Sequence, residues 1–485
     1  MMVVKLRLLA AVFWLVFHVP DTFAVTYHYH VAFGDKLARL DVRLCFEGKA
    51  PRLLSSGNSA SAGYLRDVRL FSPESAGRLS VSGGKIHLER LPENACIAYG
   101  VRLREAIDDR EAQRIGDSLL VDIQAWLWRP VSTAMADTLE LYFNLPPGIE
   151  IVGPWEPLPQ SRHGYRLSNT PINWEGRVAL GQVGTTRVSV AGQSLRICLV
   201  GAFSAVQKEN ARRWVQRAAA NISLVYGRFP VPGADVMVIA TGGGRGGDAV
   251  PWAQVQRGGR PVAQFFINEQ QPLERFLDDW TPTHELAHLL HPVLERQFKW
   301  VYEGLASYYQ NVARARGGQL TDVQAWQKLY DGFQRGLRES RETGSQRRPR
   351  YMEIYWRGAA AALLADVSLR KQSANQLSLD IALQRFQRCC FEPVRTWGGY
   401  EFFATLNQLT GTKTFSHIYE RYASTDAFPD VKPVLTELGV RIHNGNVSLI
   451  NDAPLAAVRK DIMAAQPLAL TSAAHDIGGS SHSGK

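Results

Sequence analysis

The spacing of apolar residues changes near residue 200, and that change limits the architectures open to this chain more than any other feature. From Val25 to about Val200, short runs alternate apolar with polar, as in VTYHYHVAF, ARLDVRLCFEG, LYFNLPPG and RVSVAGQSLRICLV, with Gly, Pro, Asn and Ser between them. A period of two marks strands that bury one face. After Gly201 the period lengthens: SAVQKENARRWVQRAAANISLVYGRF is helical in spacing and ends before Pro230, and ADVMVIATGGG is a buried strand entering a glycine-rich loop. From Leu273 to about Gly439 helical spacing dominates, with helices expected near 282–291, 301–316, 321–340, 353–372, 377–388, 399–410 and 412–423. The expected fold class is therefore α+β: an N-terminal β-sandwich-like domain over 25–200, a mostly helical domain over 201–445, and a C-terminal extension with a disordered tail over 446–485. At 485 residues with 45% apolar content, the chain is long enough for separate cores.

Residues 1–24 have the make-up of a signal peptide: Lys5 and Arg7 form a positive head, Leu8 to Phe17 is an unbroken apolar run, and Thr22-Phe23-Ala24 offers small residues for cleavage. The run is about half of the roughly 20 residues that a spanning helix needs. An exported protein, periplasmic or secreted, is expected. Its formal charge of +10 falls by only one when the leader is removed. Such a chain should make peripheral contact with anionic cell-envelope surfaces. Nucleic acid is excluded as a partner, because no recognised binding motif accompanies the charge and the compartment is wrong. The densest basic stretch, RGLRESRETGSQRRPR from Arg335 to Arg350, reads as a solvated loop.

Five cysteines suit an oxidising compartment without forming a disulfide scaffold. Cys45 and Cys96 each lie in a strand-like segment and are the expected pair, worth at most roughly 4 kcal/mol in the chain-entropy model. Cys198, Cys389 and Cys390 read as buried thiols or one further bridge, since adjacent cysteines rarely bond each other. His28 and His30 share one face of the first strand, but with no third ligand nearby they carry no metal role.

The stretch TPTHELAHLLHPVLERQFKWVYEGL, residues 281–305, carries the chemistry. Thr281 can cap a helix, Pro282 suits its first turn and Pro292 stops it. His284 and His288, four apart, then leave one helix face and can bind a single ion. Glu285 directly follows the first ligand, which sets its carboxylate beside a metal-bound water. A catalytic zinc needs a third protein ligand and an open fourth position. Glu303, in KWVYEGLASYYQ on a second helix returning antiparallel, is the candidate, and Ser307 one turn later could support a ligand.

HELAH followed by WVYEGLASYY, then YWRGAAAALLADVSLRKQS, LSLDIALQRF and YEFFATLNQLTG, resembles the glycyl aminopeptidase family, metallopeptidase family sixty-one. The resemblance spans about residues 200–440 and implies a thermolysin-like gluzincin catalytic domain. It makes His284, His288 and Glu303 the ligands of one Zn²⁺ ion and Glu285 the general base. Gluzincin sites take Glu as third ligand, so His291 reads as structural. The family's Y-x-K-G stands here as YWRG, which implies that the Tyr355 phenol donates to the oxyanion.

Three departures bear on specificity. The family's amine-gripping glutamate, in G-x-x-E before the zinc helix, has no counterpart between Gly242 and Phe266, and Arg257 there would repel an ammonium. Substrate backbone could still pair with that strand, with Gln254 and Gln256 as its polar side chains. The 46 residues after Gly439 are fewer than the family's PDZ domain requires, so that domain is not expected. The connector between His288 and Glu303 is also short. The expected function is an exported zinc peptidase acting on a peptide or protein substrate. The alternative is a catalytically retired metalloprotein whose β domain binds a surface polysaccharide or a protein partner.

Overall fold

The structure, a computed structural model, describes residues 24–34, 37–71, 77–89, 91–132, 137–167, 176–243, 247–343, 350–392, 395–425 and 427–465. The leader up to residue 23 and the tail from 466 lie outside the described residues. Among the described residues, no helix is long and apolar enough to cross a membrane.

The fold is α+β. In its N-terminal part, β1 (Thr26–Phe33), β2 (Arg39–Glu47), β3 (Leu65–Phe71), β4 (Cys96–Arg102), β5 (Thr138–Asn144), β6 (Glu156–Pro157) and β7 (Gly164–Leu167) form a sheet in the order β6-β7-β5-β1-β2-β4-β3. Alternation does what the sequence requires: Tyr27, Tyr29 and Val31 of β1, with Val42 and Leu44 of β2, are buried on one face, while His30, Asp41 and Arg43 stand exposed on the other. The buried face joins a core closed by Trp126, Trp128 and Trp155. Cys45 and Cys96 are directly opposed in the β2–β4 ladder and bonded through their sulfurs at 2.06 Å.

A second sheet contains β8 (Gly184–Val190), β9 (Gln193–Val200), β10 (Gly233–Ala240), β11 (Trp252–Gln256) and β12 (Val262–Ile267), in the order β8-β9-β10-β12-β11. The run RVSVAGQSLRICLV, grouped by its alternation with the N-terminal strands, therefore pairs with the strands after Gly201. Alternation tells which face of a strand is buried, not which sheet it joins. Helix α1 (Ala205–Tyr226) crosses between β9 and β10; Ser204 and Gln207 form a capping box at its start, and Gly227 ends it with φ 70°. Buried Cys198 on β9 faces a small core with Ile115, Leu120 and Val152 between the two parts, and burial pushes its thiol up to about 12.

The helices that follow are α2 (Thr281–Ala287), α3 (Lys299–Arg316), α4 (Asp322–Thr343), α5 (Tyr351–Gln372), α6 (Leu379–Cys390), α7 (Gly399–Thr410) and α8 (Thr414–Tyr422). The Arg335 to Arg350 stretch is not a loop at its start: α4 runs on to Thr343, and Glu339 accepts the Met352 backbone N–H at 3.1 Å. Arg335, Arg338, Arg341 and Glu342 lie exposed on that helix, which charge alternation alone does not distinguish from a loop, and residues 344–349 lie outside the described residues. Cys389 and Cys390 form the one further bridge between themselves, which corrects the expectation that adjacent cysteines would not bond each other, while Cys198 is the buried thiol.

Two devices fix α3. Tyr308 donates to Asp366 of α5 at 2.8 Å and Tyr309 donates to Asp380 of α6 at 2.7 Å, while Arg370 and Arg316 pair with those same buried carboxylates. Buried carboxylates are tolerable only when paired and hydrogen-bonded in this way. One turn earlier in the helix, Gly304 lies against Gly358 of α5 so closely that a Cβ on Gly304 would overlap the Gly358 backbone, and one on Gly358 the Trp300 carbonyl. Gly304→Ala or Gly358→Ala should therefore destabilise the protein by about 1–3 kcal/mol or more. Thermal unfolding measures this, and a melting temperature at the wild-type value for both variants would show the contact to be soft.

Candidate metal centre and cleft

The zinc-ligand candidates meet where α2 ends and α3 begins. Helix α2 starts at Thr281, whose N–H is accepted by Asp279 Oδ1 at 2.8 Å, so Asp279 performs the capping expected of Thr281. The helix tightens into a 3₁₀ turn over His288–Leu290 before Pro292. His284 Nε2 lies 3.3 Å and His288 Nε2 3.6 Å from Glu303 Oε2, and all three side chains are buried. Among the described residues, this is the one group of three or more His, Cys, Asp or Glu side chains whose ligand atoms lie within 4.8 Å of one another.

The tautomers follow from the outer hydrogen bonds. The Pro292 carbonyl can only accept, so His291 Nδ1–H donates to it at 2.8 Å. Burial first, then Arg257 and His288, hold His291 well below the usual imidazole range, so it is neutral and its Nε2 accepts. His288 Nδ1, 3.3 Å away, must then be the donor, which leaves the His288 Nε2 lone pair facing Glu303. His284 Nδ1 lies 2.8 Å from Gln310 Oε1 and donates there, so its Nε2 lone pair faces the same point. Three lone-pair donors converging in a buried pocket repel one another unless a cation lies among them. Two imidazole nitrogens and a carboxylate with outer hydrogen bonds already set fit a divalent ion of the zinc type, with one position left open.

The electrostatics follow the geometry. Burial would raise the Glu303 carboxyl, but the closeness of the His284 and His288 imidazoles holds it far below the carboxylate range. Burial would lower His284, yet the Glu303 carboxylate beside it and the Glu285 charge raise it overall. His288 ends below its usual value, with burial the largest cause. Glu285 is pushed up to about 7, mainly by burial and further by the Glu303 charge, although His284 opposes the shift. A carboxyl near neutrality can both accept and return a proton. Tyr355, half-buried at the start of the second turn of α5, stacks on His284 with centroids 5.7 Å apart and planes at 6°. Burial and then the Glu303 and Glu285 charges raise its phenol, which stays a donor.

These groups lie at the floor of a cleft of about 580 Å³, lined by Ala253, Val255, Arg257, Glu285, His288, Tyr302, Glu303 and Tyr355 among others. Its wall is β11, the edge of the second sheet, hydrogen-bonded to β12 alone. Ala253, Gln254, Val255 and Arg257 line the cleft and Gln256 does not; Gln254 and Gln256 both donate to Gln264 Oε1, at 3.0 and 3.4 Å. Gln256 is therefore buried away from the cleft, contrary to the reading of β11, whereas Gln254 lines the cleft with its amide held by Gln264. Arg257 is also engaged: its Nη1 donates to the carbonyls of His288 at 2.9 Å and His291 at 2.7 Å, and burial lowers it to about 10. It clamps the end of the metal-ligand helix. Ser307, buried on α3, is not the partner of either imidazole; Gln310 and His291 are. The sequence signal for Gln310 was its place seven residues, two helical turns, after Glu303.

No family model and no curated protein matches this chain. Among solved structures, an aminopeptidase N family protein from Idiomarina loihiensis shares the fold with a TM-score of 0.62. The sequence identity is 14%, and the match covers 86% of this chain and 79% of that one. At that identity the likeness is one of architecture: a β-rich N-terminal part followed by a helical part.

The outer hydrogen bonds make a quantitative expectation. Gln310→Ala and His291→Ala should each weaken the affinity of this site for a divalent ion, with Zn²⁺ as the probe, by about 10- to 100-fold, whereas Ser307→Ala should leave it unchanged. Competition with a chromophoric chelator measures all three.

Proposed function

We propose that this protein is an exported zinc-dependent peptidase. The observation that carries the reading is the convergence of His284 Nε2, His288 Nε2 and the Glu303 carboxylate at the floor of an open cleft, beside Glu285 and Tyr355. Export rests on the leader-like residues 1–24. Zinc bound there would supply Lewis-acid polarisation of the scissile carbonyl and a water acidified toward pH 7.

The chain's own residues supply the remainder. Glu285 takes the proton of the attacking water and returns it to the leaving amine. Tyr355 donates its phenolic hydrogen to the oxygen on which charge develops. Arg257, Gln310 and His291 hold the imidazoles in place. The free edge of β11 offers backbone N–H and C=O groups to an extended substrate, as in strand addition. No carboxylate on β11 could hold a free ammonium, and Arg257 adds positive charge to that wall. We therefore assign peptides whose chain continues past the cleft, or whose N-terminus is blocked, as the better substrates. A retired site would need its access closed, and a cleft of this volume lined by Glu285 favours a working one.

Glu285→Gln should lower kcat/KM by about 10²- to 10⁴-fold while zinc stays stoichiometric. Tyr355→Phe should cost about 2.7–4 kcal/mol of transition-state stabilisation. A mixed peptide library offered with and without N-terminal acetylation reads out both rate and specificity. Cleavage at the wild-type rate by Glu285→Gln would remove the general base from this scheme, and strict dependence on a free N-terminus would overturn the substrate assignment.

A further inference from the structure

The open face of the first sheet carries a second cavity, of about 540 Å³, to which no role has yet been given. It is independent of the metal-ligand cluster. Strand register lays out its floor in rows. One row runs Tyr142, His30, Arg43, Ala98, Arg69 across β5, β1, β2, β4 and β3. Arg43 and Arg69 therefore stand on either side of Ala98, which has only a methyl group to put between them. Neither guanidinium has a carboxylate partner among the described residues, although Arg43 lies 5.3 Å from the centroid of Phe71, itself 46% exposed. At the other end of the row, Tyr142 stacks on His30 with centroids 5.4 Å apart. The stack and Ala98 are separated by about two strand spacings, roughly 10 Å.

A fault in the ladder builds this arrangement. Arg66 pairs with Gly100 and Arg69 with Ala98, so β3 spends three residues where β4 spends two. The extra residue is accommodated at Asp67, which adopts a left-handed φ of 53°. Without that bulge, alternation after Arg66 would turn Val68 outward and Arg69 into the core; with it, Val68 is buried and Arg69 and Phe71 reach the open face. In the adjacent row, Gly100 leaves room for Arg39 to lie flat on the sheet, its Nη2 2.7 Å from Asp41, since a Cβ there would come within 3.0 Å of it.

We propose that this groove binds an acidic saccharide, with a uronate carboxylate held between Arg43 and Arg69 above Ala98 and a sugar ring against the His30–Tyr142 stack. Two guanidiniums flanking one small residue suit a single carboxylate. Side chains must do all the recognition here, because β1, β2 and β4 are inner strands whose backbone groups are already paired. A peptide gains most of its affinity for a sheet from an edge. A saccharide carries its own hydroxyls and a flat apolar ring face, and so matches a floor of aromatic and charged side chains.

The test is isothermal titration of the full chain with trigalacturonate, maltotriose and triglutamate, in low and high salt. Trigalacturonate should bind, weaken with salt, and lose about tenfold or more in affinity in Arg43→Ala and in Arg69→Glu. Maltotriose should bind more weakly for want of the carboxylate, and hydrolysis of peptides in the cleft should be unchanged in both variants. Absence of trigalacturonate binding overturns the proposal, as does equal binding by both variants with wild-type melting temperatures. Binding of triglutamate as tight as that of trigalacturonate overturns it in favour of an acidic peptide site.

Discussion

The contact between Gly304 and Gly358 is the constraint on which the candidate centre depends. Two helices can approach this closely only where neither carries a side chain at the crossing. Gly304 follows Glu303 directly, and Gly358 lies three residues after Tyr355. One backbone contact thus sets the carboxylate that completes the ligand set and the phenol that faces the same space. The paired Tyr308–Asp366 and Tyr309–Asp380 hydrogen bonds hold the helices at that spacing from further along α3. The E-G dipeptide is therefore as much a packing device as a chemical one.

A second hierarchy runs outward from the imidazoles. A backbone carbonyl at Pro292 decides the tautomer of His291, His291 decides that of His288, and so the lone pair aimed at Glu303 is fixed by a residue that cannot itself titrate. Gln310 performs the same task for His284 in one step. Arg257 reaches in from β11 to the two carbonyls at the end of this segment, tying the wall of the cleft to its floor.

Much of this was legible in the residues. Helical spacing after Gly201 and alternation before it gave the element types, and HELAH with Pro282 and Pro292 around it gave a short helix with two imidazoles on one face. What could not be read was tertiary. The sheet that claims β8 and β9 is decided by a parallel pairing with β10, a contact made beyond helix α1. Gln256 looked available because alternation gives two faces without saying which one meets the cleft, and Gln264 on the neighbouring strand holds its amide as well as that of Gln254. Ser307 stood at the conventional one-turn spacing from Glu303, but the amide that reaches His284 comes from a turn further on. The phase shift at Asp67 was equally hidden, because a bulge is defined by the strand beside it.

Arg257 shows how structure can narrow a chain's evolutionary options. A single exchange to a carboxylate at that position would supply a grip for an ammonium group, but it would also strip the carbonyls of His288 and His291 of their shared donor and bring like charge toward Glu303. The candidate metal centre would loosen with the same exchange. On this scaffold, any exchange that frees position 257 would first have to anchor the HELAH segment by other means.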